Sequence, residues 1–239
     1  IQDFGHRVDS YGAFLDYPHA GILNSHAFLN RYPTTETNRN RARSRWTYYH
    51  FLGLDIEKSA SRTTDPVALA DTNNPTMNNP ACTVCHQVMD PVAGAYQNYG
   101  NAGLFRDSWG GMDALPDTYK HPEWFEENAE PSLYRHGDTW FRDMRTPGIS
   151  GMYAPNQNNS LQWLGRRIAE DPRFATAAIK FWWPAIMGEE VKRAPESSGD
   201  VDYQIKLAAF TEQNDFIEEL GQQFARGFGD GQPFNAKDL

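Results

Sequence analysis

Two cysteines and a histidine carry the most specific chemistry in this chain. Cys82, Thr83, Val84, Cys85 and His86 spell C-x-x-C-H, and no other cysteine occurs among the 239 residues. That spacing is the one used for covalent attachment of a c-type haem. On a helix, residues three and four apart share a face. Cys82, Cys85 and His86 would then converge on one side, where each thiol can add across a vinyl group and the imidazole can reach the iron. This assigns Cys82, Cys85 and His86 to one covalent haem c, with His86 as its proximal iron ligand.

Other uses of the pair fit less well. A thioredoxin-like dithiol needs a strand-helix-strand setting, which the surrounding pattern lacks. A structural zinc site needs four ligands, commonly with a second close Cys or His pair. The histidines, His6, His19, His26, His50, His86, His121 and His136, contain no H-x3-5-H pair. A disulfide between residues three apart in a helix would be strained.

The opposite face of the iron decides between a six-coordinate electron carrier and an open, reactive haem. His/Met ligation is the arrangement of cytochromes c. Met89 lies three residues beyond His86 on the same helix, so it cannot cross to the far side and reads as packing. Met77 sits too close to the attachment site, Met112 follows Gly110 and Gly111, and Met187 closes a core helix. Met152 is the first candidate for the distal iron ligand and Met144 the alternative, in the Pro/Gly-rich stretch from Asp143 to Pro155. His121, His136 or an open iron remain further options. Arg39, Arg41, Arg43, Arg45 and Arg106 are candidates for haem propionates, because a guanidinium matches a carboxylate with two parallel hydrogen bonds. Trp46 and Trp109 are candidates for packing on the ring. The adjacent acids Glu126 and Glu127, Glu189 and Glu190, Glu218 and Glu219 read as solvated pairs, and no catalytic residue is assigned.

Composition narrows the partners. With 22 Lys and Arg against 31 Asp and Glu, the net charge is -9, which disfavours nucleic acid and anionic membranes. No apolar run reaches the roughly 18 residues of a membrane span. The aromatic residues, 14 Phe, 11 Tyr and 7 Trp, suit either a core or the lining of a flat apolar cofactor. The chain opens Ile1, Gln2, Asp3, without an initiator Met or signal peptide, and reads as an excised piece. Haem is attached at C-x-x-C-H on the outer side of the bacterial inner membrane, which predicts a periplasmic or extracellular location.

The elements that must hold the motif follow from periodicity and punctuation. Pro80 opens a short haem helix, and Asp90 with Pro91 predicts its end near residue 89. Residues 34–53 read as a basic-to-apolar helix with Trp46, Tyr49, Phe51 and Leu52 as its apolar side and Gly53 as its stop. Residues 55–80 read as loop. The stretch from Pro91 to about residue 160 has few periodic runs. Its aromatics, among them Tyr96, Tyr99, Phe105, Trp124 and Trp140, favour an ordered segment that wraps the cofactor. Three helices then close the chain. The first carries Leu161, Leu164 and Ile168. The second starts at Asp171 and Pro172 with Phe174, Ala177, Ala178, Phe181 and Trp182 inward. The third runs over 202–226 with Tyr203, Leu207, Phe210, Ile217, Leu220 and Phe224 inward and Gly227 beyond its end. No strand pattern and no repeat stand out.

The segment from Pro80 to Pro91, followed by Gly94 to Gly100 and by Phe105 and Arg106, resembles the block P-x-C-x-x-C-H-x-x-M-D-P-x-G-x-x-x-E-N-F of an uncharacterised family of bacterial c-type haem domains. That family is common in planctomycetes and occurs in large secreted or periplasmic haem proteins. Gly21 to Leu23, Pro33 to Thr35, Arg43 to Trp46, Phe51 to Gly53, Asp171 to Phe174 and Trp182 to Gly188 are similar to its flanking motifs. Gln97, Asn98 and Tyr99 replace the family's Glu-Asn-Phe, and Glu189 stands where it has Arg.

The expectation is therefore a mainly α protein, a cytochrome c-like helical domain with long irregular haem-wrapping loops and a C-terminal helical bundle. It is read as one domain over 1–239, with an N-terminal cap (1–75), a haem-binding segment (76–158) and a helical segment (159–239). Its expected role is one-electron transfer in a larger secreted or periplasmic redox protein, with a redox protein or adjacent domain as partner. A peroxidase-like or other catalytic haem, and a carbohydrate- or protein-binding module using Trp124, Trp140 and Trp163 with accessory haem, are the alternatives.

Overall fold

The structure, a computed structural model, describes residues 6–8, 14–16, 19–35, 40–72, 75–100, 103, 105, 145–155 and 159–238. The fold is mainly helical, as expected. Eight α-helices occur among the described residues: α1 (His26–Arg31), α2 (Arg41–Leu52), α3 (Pro66–Leu69), α4 (Pro75–Asn78), α5 (Pro80–Ala95), α6 (Ser160–Glu170), α7 (Arg173–Met187) and α8 (Tyr203–Arg226). Sheet is minimal. β1 (His6–Val8) pairs antiparallel with β2 (Phe14–Asp16), and β3 (Gly148–Ile149) with β4 (Met152–Tyr153). Ser150 and Gly151 turn the second hairpin with φ of 51° and 79°, the paired positive φ of a two-residue hairpin loop. Strands of two residues leave no alternating pattern to read in a sequence. No helix among the described residues is long and apolar enough to cross a membrane.

The chain divides into two compact units, residues 1–48 with 55–169, and residues 49–54 with 170–239. The first is built on α5. Asn79 caps it by accepting a hydrogen bond from the Ala81 amide at 3.0 Å, and Pro80 occupies the first turn, where its missing N–H costs nothing. The helix does not stop at Asp90. It continues through Pro91 to Ala95, correcting the boundary expected near residue 89. A proline inside a helix removes one hydrogen bond and crowds the preceding turn. Here burial offsets that cost: every residue from Asp90 to Gly100 is buried, with Val92, Ala93, Ala95 and Tyr96 fully enclosed. Hydroxyls of α2 also reach that turn, as Ser44 donates to the Met89 carbonyl at 2.7 Å. Gly94 permits a close approach, because a Cβ there would lie 2.6 Å from the Arg145 carbonyl oxygen.

The buried face of α2 differs from the expectation. Arg43, Ser44 and Thr47 are fully enclosed together with Asn40 just before the helix, whereas Tyr49 is exposed and Trp46 only half-buried. Positions 40, 43, 44 and 47 follow helical spacing, but their side chains are polar. Arg43 makes this possible by donating to the carbonyls of Leu29, Tyr32, Tyr99 and Gly100 and to Asn40 Oδ1. Thr47 shares a 2.7 Å hydrogen bond with the Tyr96 hydroxyl, and Tyr96 stacks on Phe28. Leu161, Leu164 and Ile168 of α6 are buried as predicted, and Ser160 ties α6 to the Ala95 carbonyl at 3.0 Å.

In the second unit α7 packs on α8 around Ala175, Ile179, Trp183, Ile217 and Phe224. Gly221 lets the helices meet, since a Cβ there would lie 2.8 Å from Thr176 Oγ1. Gly188 and Gly227 end the two helices with φ of 72° and 91°. On α8, Ile217 and Phe224 are buried as predicted, while Tyr203, Leu207, Phe210 and Leu220 are half-buried. On α7 the face is rotated: Trp183 is buried while Phe181 and Trp182 are exposed. A run of Phe181, Trp182 and Trp183 covers nearly a full turn, so apolar spacing alone cannot say which side packs.

Candidate haem-attachment site

Cys82, Cys85 and His86 all lie in the first half of α5. The two thiols are free and half-buried. Together with Ala81 and Met89 the three form one wall of a cavity of about 490 Å³, a volume within the usual range of small-molecule sites. Arg41, Ala42, Arg45 and Trp46 of α2 form the facing wall. The segment after α2 closes it with Ile56, Glu57, Ser61, Arg62 and Thr63, and Leu69 comes from α3. Helical spacing thus brings the three attachment residues to one cavity.

Behind His86 stands a carboxylate. Asp90, one helical turn on, has a fully buried side chain and lies 3.0 and 3.1 Å by its two oxygens from His86 Nδ1. Arg41 donates to the same oxygens from Nε at 2.9 Å and Nη2 at 3.1 Å. Burial pushes the Asp90 carboxyl up, but the hydrogen bonds from His86 and Arg41 and the guanidinium charge outweigh it and hold the group below the usual carboxylate range. An ionised carboxylate has no proton to give, so Nδ1 carries the hydrogen and donates it to Asp90. In neutral imidazole Nε2 is then the bare nitrogen. This is the tautomer a metal ligand needs, with its other ring nitrogen tied to an acceptor.

Two thiols, a histidine with one nitrogen fixed and a cavity lined by arginine and tryptophan fit a covalent haem. The arginines divide by task. Arg41 is bound to Asp90. Arg45 donates to both oxygens of Asp55 at 3.0 Å, pairs with Glu57 at 2.7 Å and stacks over Trp46. Arg62 meets Glu57 at 3.1 Å at the same rim. Arg43 points into the protein and is a structural staple, not a propionate candidate. Trp46 lines the cavity and stacks on Tyr32 with ring centres 5.1 Å apart.

Met89 lines the cavity from the His86 side, consistent with its helical position. Met152 is 46% exposed on β4 and does not line the cavity. Met144, His121, His136, Arg39, Arg106, Trp109, Trp124 and Trp140 lie outside the described residues. Asp90 and Arg62 escaped the sequence reading. For Asp90 a signal existed, the i,i+4 spacing from His86, but Asp-Pro reads as a helix stop.

The described part of the protein is thus mainly helical, with a C-x-x-C-H helix that opens on a cavity. Residues 19–109, fewer than half of the chain but including the whole motif, match PSCyt3, described as a protein of unknown function (DUF1588), a planctomycete cytochrome-like family. No curated protein and no solved structure matches the chain.

Proposed function

We propose that this chain is a monohaem c-type cytochrome domain that transfers single electrons within a larger secreted or periplasmic redox protein. The observation that carries the reading is the convergence of Cys82, Cys85 and His86 on one cavity with His86 Nδ1 held by Asp90. When bound, the haem supplies a one-electron iron couple whose potential the axial ligands and buried surroundings set. The chain's own residues do the rest. Cys82 and Cys85 would hold the macrocycle through thioether bonds, His86 would offer Nε2 to the iron, and Trp46 and Ile56 would line the apolar side of the cavity. A guanidinium at the rim, Arg62, has the planar fork suited to a propionate. Met152, or Met144 as the alternative, would be the second iron ligand in this reading. Because haem attachment at C-x-x-C-H occurs outside the bacterial inner membrane, this reading implies a periplasmic or extracellular protein, where an adjacent domain or redox protein would exchange the electron.

Expression with a cytochrome c maturation system tests the reading. The wild-type protein should keep haem on a denaturing gel, and Cys82→Ala with Cys85→Ala should lose it; a wild-type band without haem ends the proposal. Replacing Met144 and Met152 by Leu in turn should abolish the near-infrared band of Met-ligated ferric haem in one case.

The Asp90 carboxylate favours a second reading, a catalytic haem with an open distal side, because an imidazole strengthened by a carboxylate stabilises oxidised iron. A high-spin ferric spectrum with tight cyanide binding would select it. The Met band would exclude it.

A further inference from the structure

Among the described residues Asp90 is the one carboxylate that is fully buried, and its four close contacts go to two partners, Arg41 and His86. We infer that Asp90, oriented by Arg41, is a positioning residue for the iron ligand: it fixes His86 with Nε2 bare and strengthens that nitrogen as a donor, which holds the haem couple low. The inference rests on the haem reading above and deepens it.

The geometry separates this role from simple charge pairing. A buried ion pair is weak evidence for stability, because desolvation consumes much of the attraction. Arg41 satisfies the carboxylate with one donor per oxygen, yet both oxygens also face Nδ1 of a histidine one turn away. The carboxylate is therefore shared. As it draws on the Nδ1 hydrogen, electron density at Nε2 rises, and ferric iron gains more from that than ferrous iron. Arg41 acts in the opposite sense by holding part of the carboxylate's charge. Its bidentate grip fixes where the carboxylate points and limits how strongly it pulls on His86.

The test is the reduction potential of matured holoprotein. Asp90→Asn keeps the size and an acceptor oxygen but removes the charge. Losing the hydrogen-bond partner of a metal ligand costs about 10–100-fold in affinity, and about tenfold lost for ferric over ferrous iron is about 59 mV for a one-electron couple. The potential of Asp90→Asn should rise by at least that. Arg41→Lys keeps the positive charge but loses the fork, so the freed carboxylate should pull harder and the potential should fall. Asp202→Asn, an exposed carboxylate that does not line the cavity, controls for charge loss. Opposite shifts in the two variants support the assignment, since general loosening of the site would not split their signs. A potential for Asp90→Asn within the shift of Asp202→Asn overturns it. If Asp90→Asn does not retain haem, Arg41→Lys decides alone: a lower potential supports the role, and an equal or higher one overturns it. Wild-type protein without covalent haem would remove the functional reading and this one with it, whereas haem with an unmoved potential refutes only the role of Asp90.

Discussion

Replacing Arg43 by Met should be among the most damaging single changes on α2. The side chain is fully buried and donates from Nε to Tyr32 O at 3.0 Å, from Nη1 to Asn40 Oδ1 at 2.8 Å and Tyr99 O at 2.9 Å, and from Nη2 to Leu29 O at 3.2 Å and Gly100 O at 2.9 Å. All the guanidinium hydrogens are used. Met keeps much of the stem's length and its apolar contacts, so the change isolates the polar part. Hydrogen bonds to a charged group contribute about 1.5–3 kcal/mol each, but burying an ion costs several kcal/mol. The net is smaller than the sum. Four of the acceptors are main-chain carbonyls that no substitution removes, and an orphaned buried acceptor costs about 1–3 kcal/mol. We expect a loss of about 4 kcal/mol, as for breaking a buried charge pair, from a domain stability of about 5–15 kcal/mol. With a urea slope of about 2 kcal/mol/M, the midpoint should fall by about 2 M. Arg45→Met on the same helix is the comparison: its side chain is 26% exposed and pairs with Asp55 and Glu57, so it should cost no more than about 1 kcal/mol. Circular dichroism during urea titration reads both. Equal midpoints for the two variants would refute the idea that buried carbonyl satisfaction, rather than charge, is what Arg43 supplies.

Gly94→Ala should lower the melting temperature although alanine favours helix by about 0.5–1 kcal/mol, because its Cβ would press on the Arg145 carbonyl oxygen and overpacking costs about 1–3 kcal/mol. Gly165→Ala on α6, whose Cβ would meet Leu23 Cδ1 at 3.7 Å, should be neutral or stabilising, and the same calorimetric scan compares them. Hydrogen bonding from Arg45 holds the Asp55 carboxyl below its ordinary 3.8. The unfolded chain therefore takes up the proton first, and the stability Asp55 contributes is complete above about pH 4 and drains away as pH falls through the depressed value. Asp55→Asn should cost more at pH 6 than at pH 3 in urea titrations; an equal cost at both would contradict the linkage.

The shared cavity of Cys82, Cys85 and His86 was readable because the motif is local. C-x-x-C-H spans five positions, and helical spacing alone brings its side chains to one side. Some helix ends were readable for the same reason, since Pro80, Gly53 and Gly227 act on the backbone next to them. Apolar periodicity placed Leu164 and Ile168 of α6 and Ile217 and Phe224 of α8 correctly, because they recur at helical spacing. It could not orient α7, where three consecutive aromatics surround the helix, and on α2 it found Leu52 but missed the polar Asn40, Arg43, Ser44 and Thr47, buried beside Tyr48.

Those polar residues are buried because their partners, the carbonyls of Tyr99 and Gly100 and the hydroxyl of Tyr96, come from the end of α5, about fifty positions away in the chain. The same long-range packing carried α5 through Pro91, where local propensity predicts a stop, and so placed Asp90 one helical turn behind His86. The sequence by itself determined that two thiols and an imidazole share one side of a helix. Which nitrogen of His86 is free, which arginine steadies Asp90 and which is a staple were decided only by tertiary structure, because each depends on burying a charge against groups that meet only when α2 packs on α5.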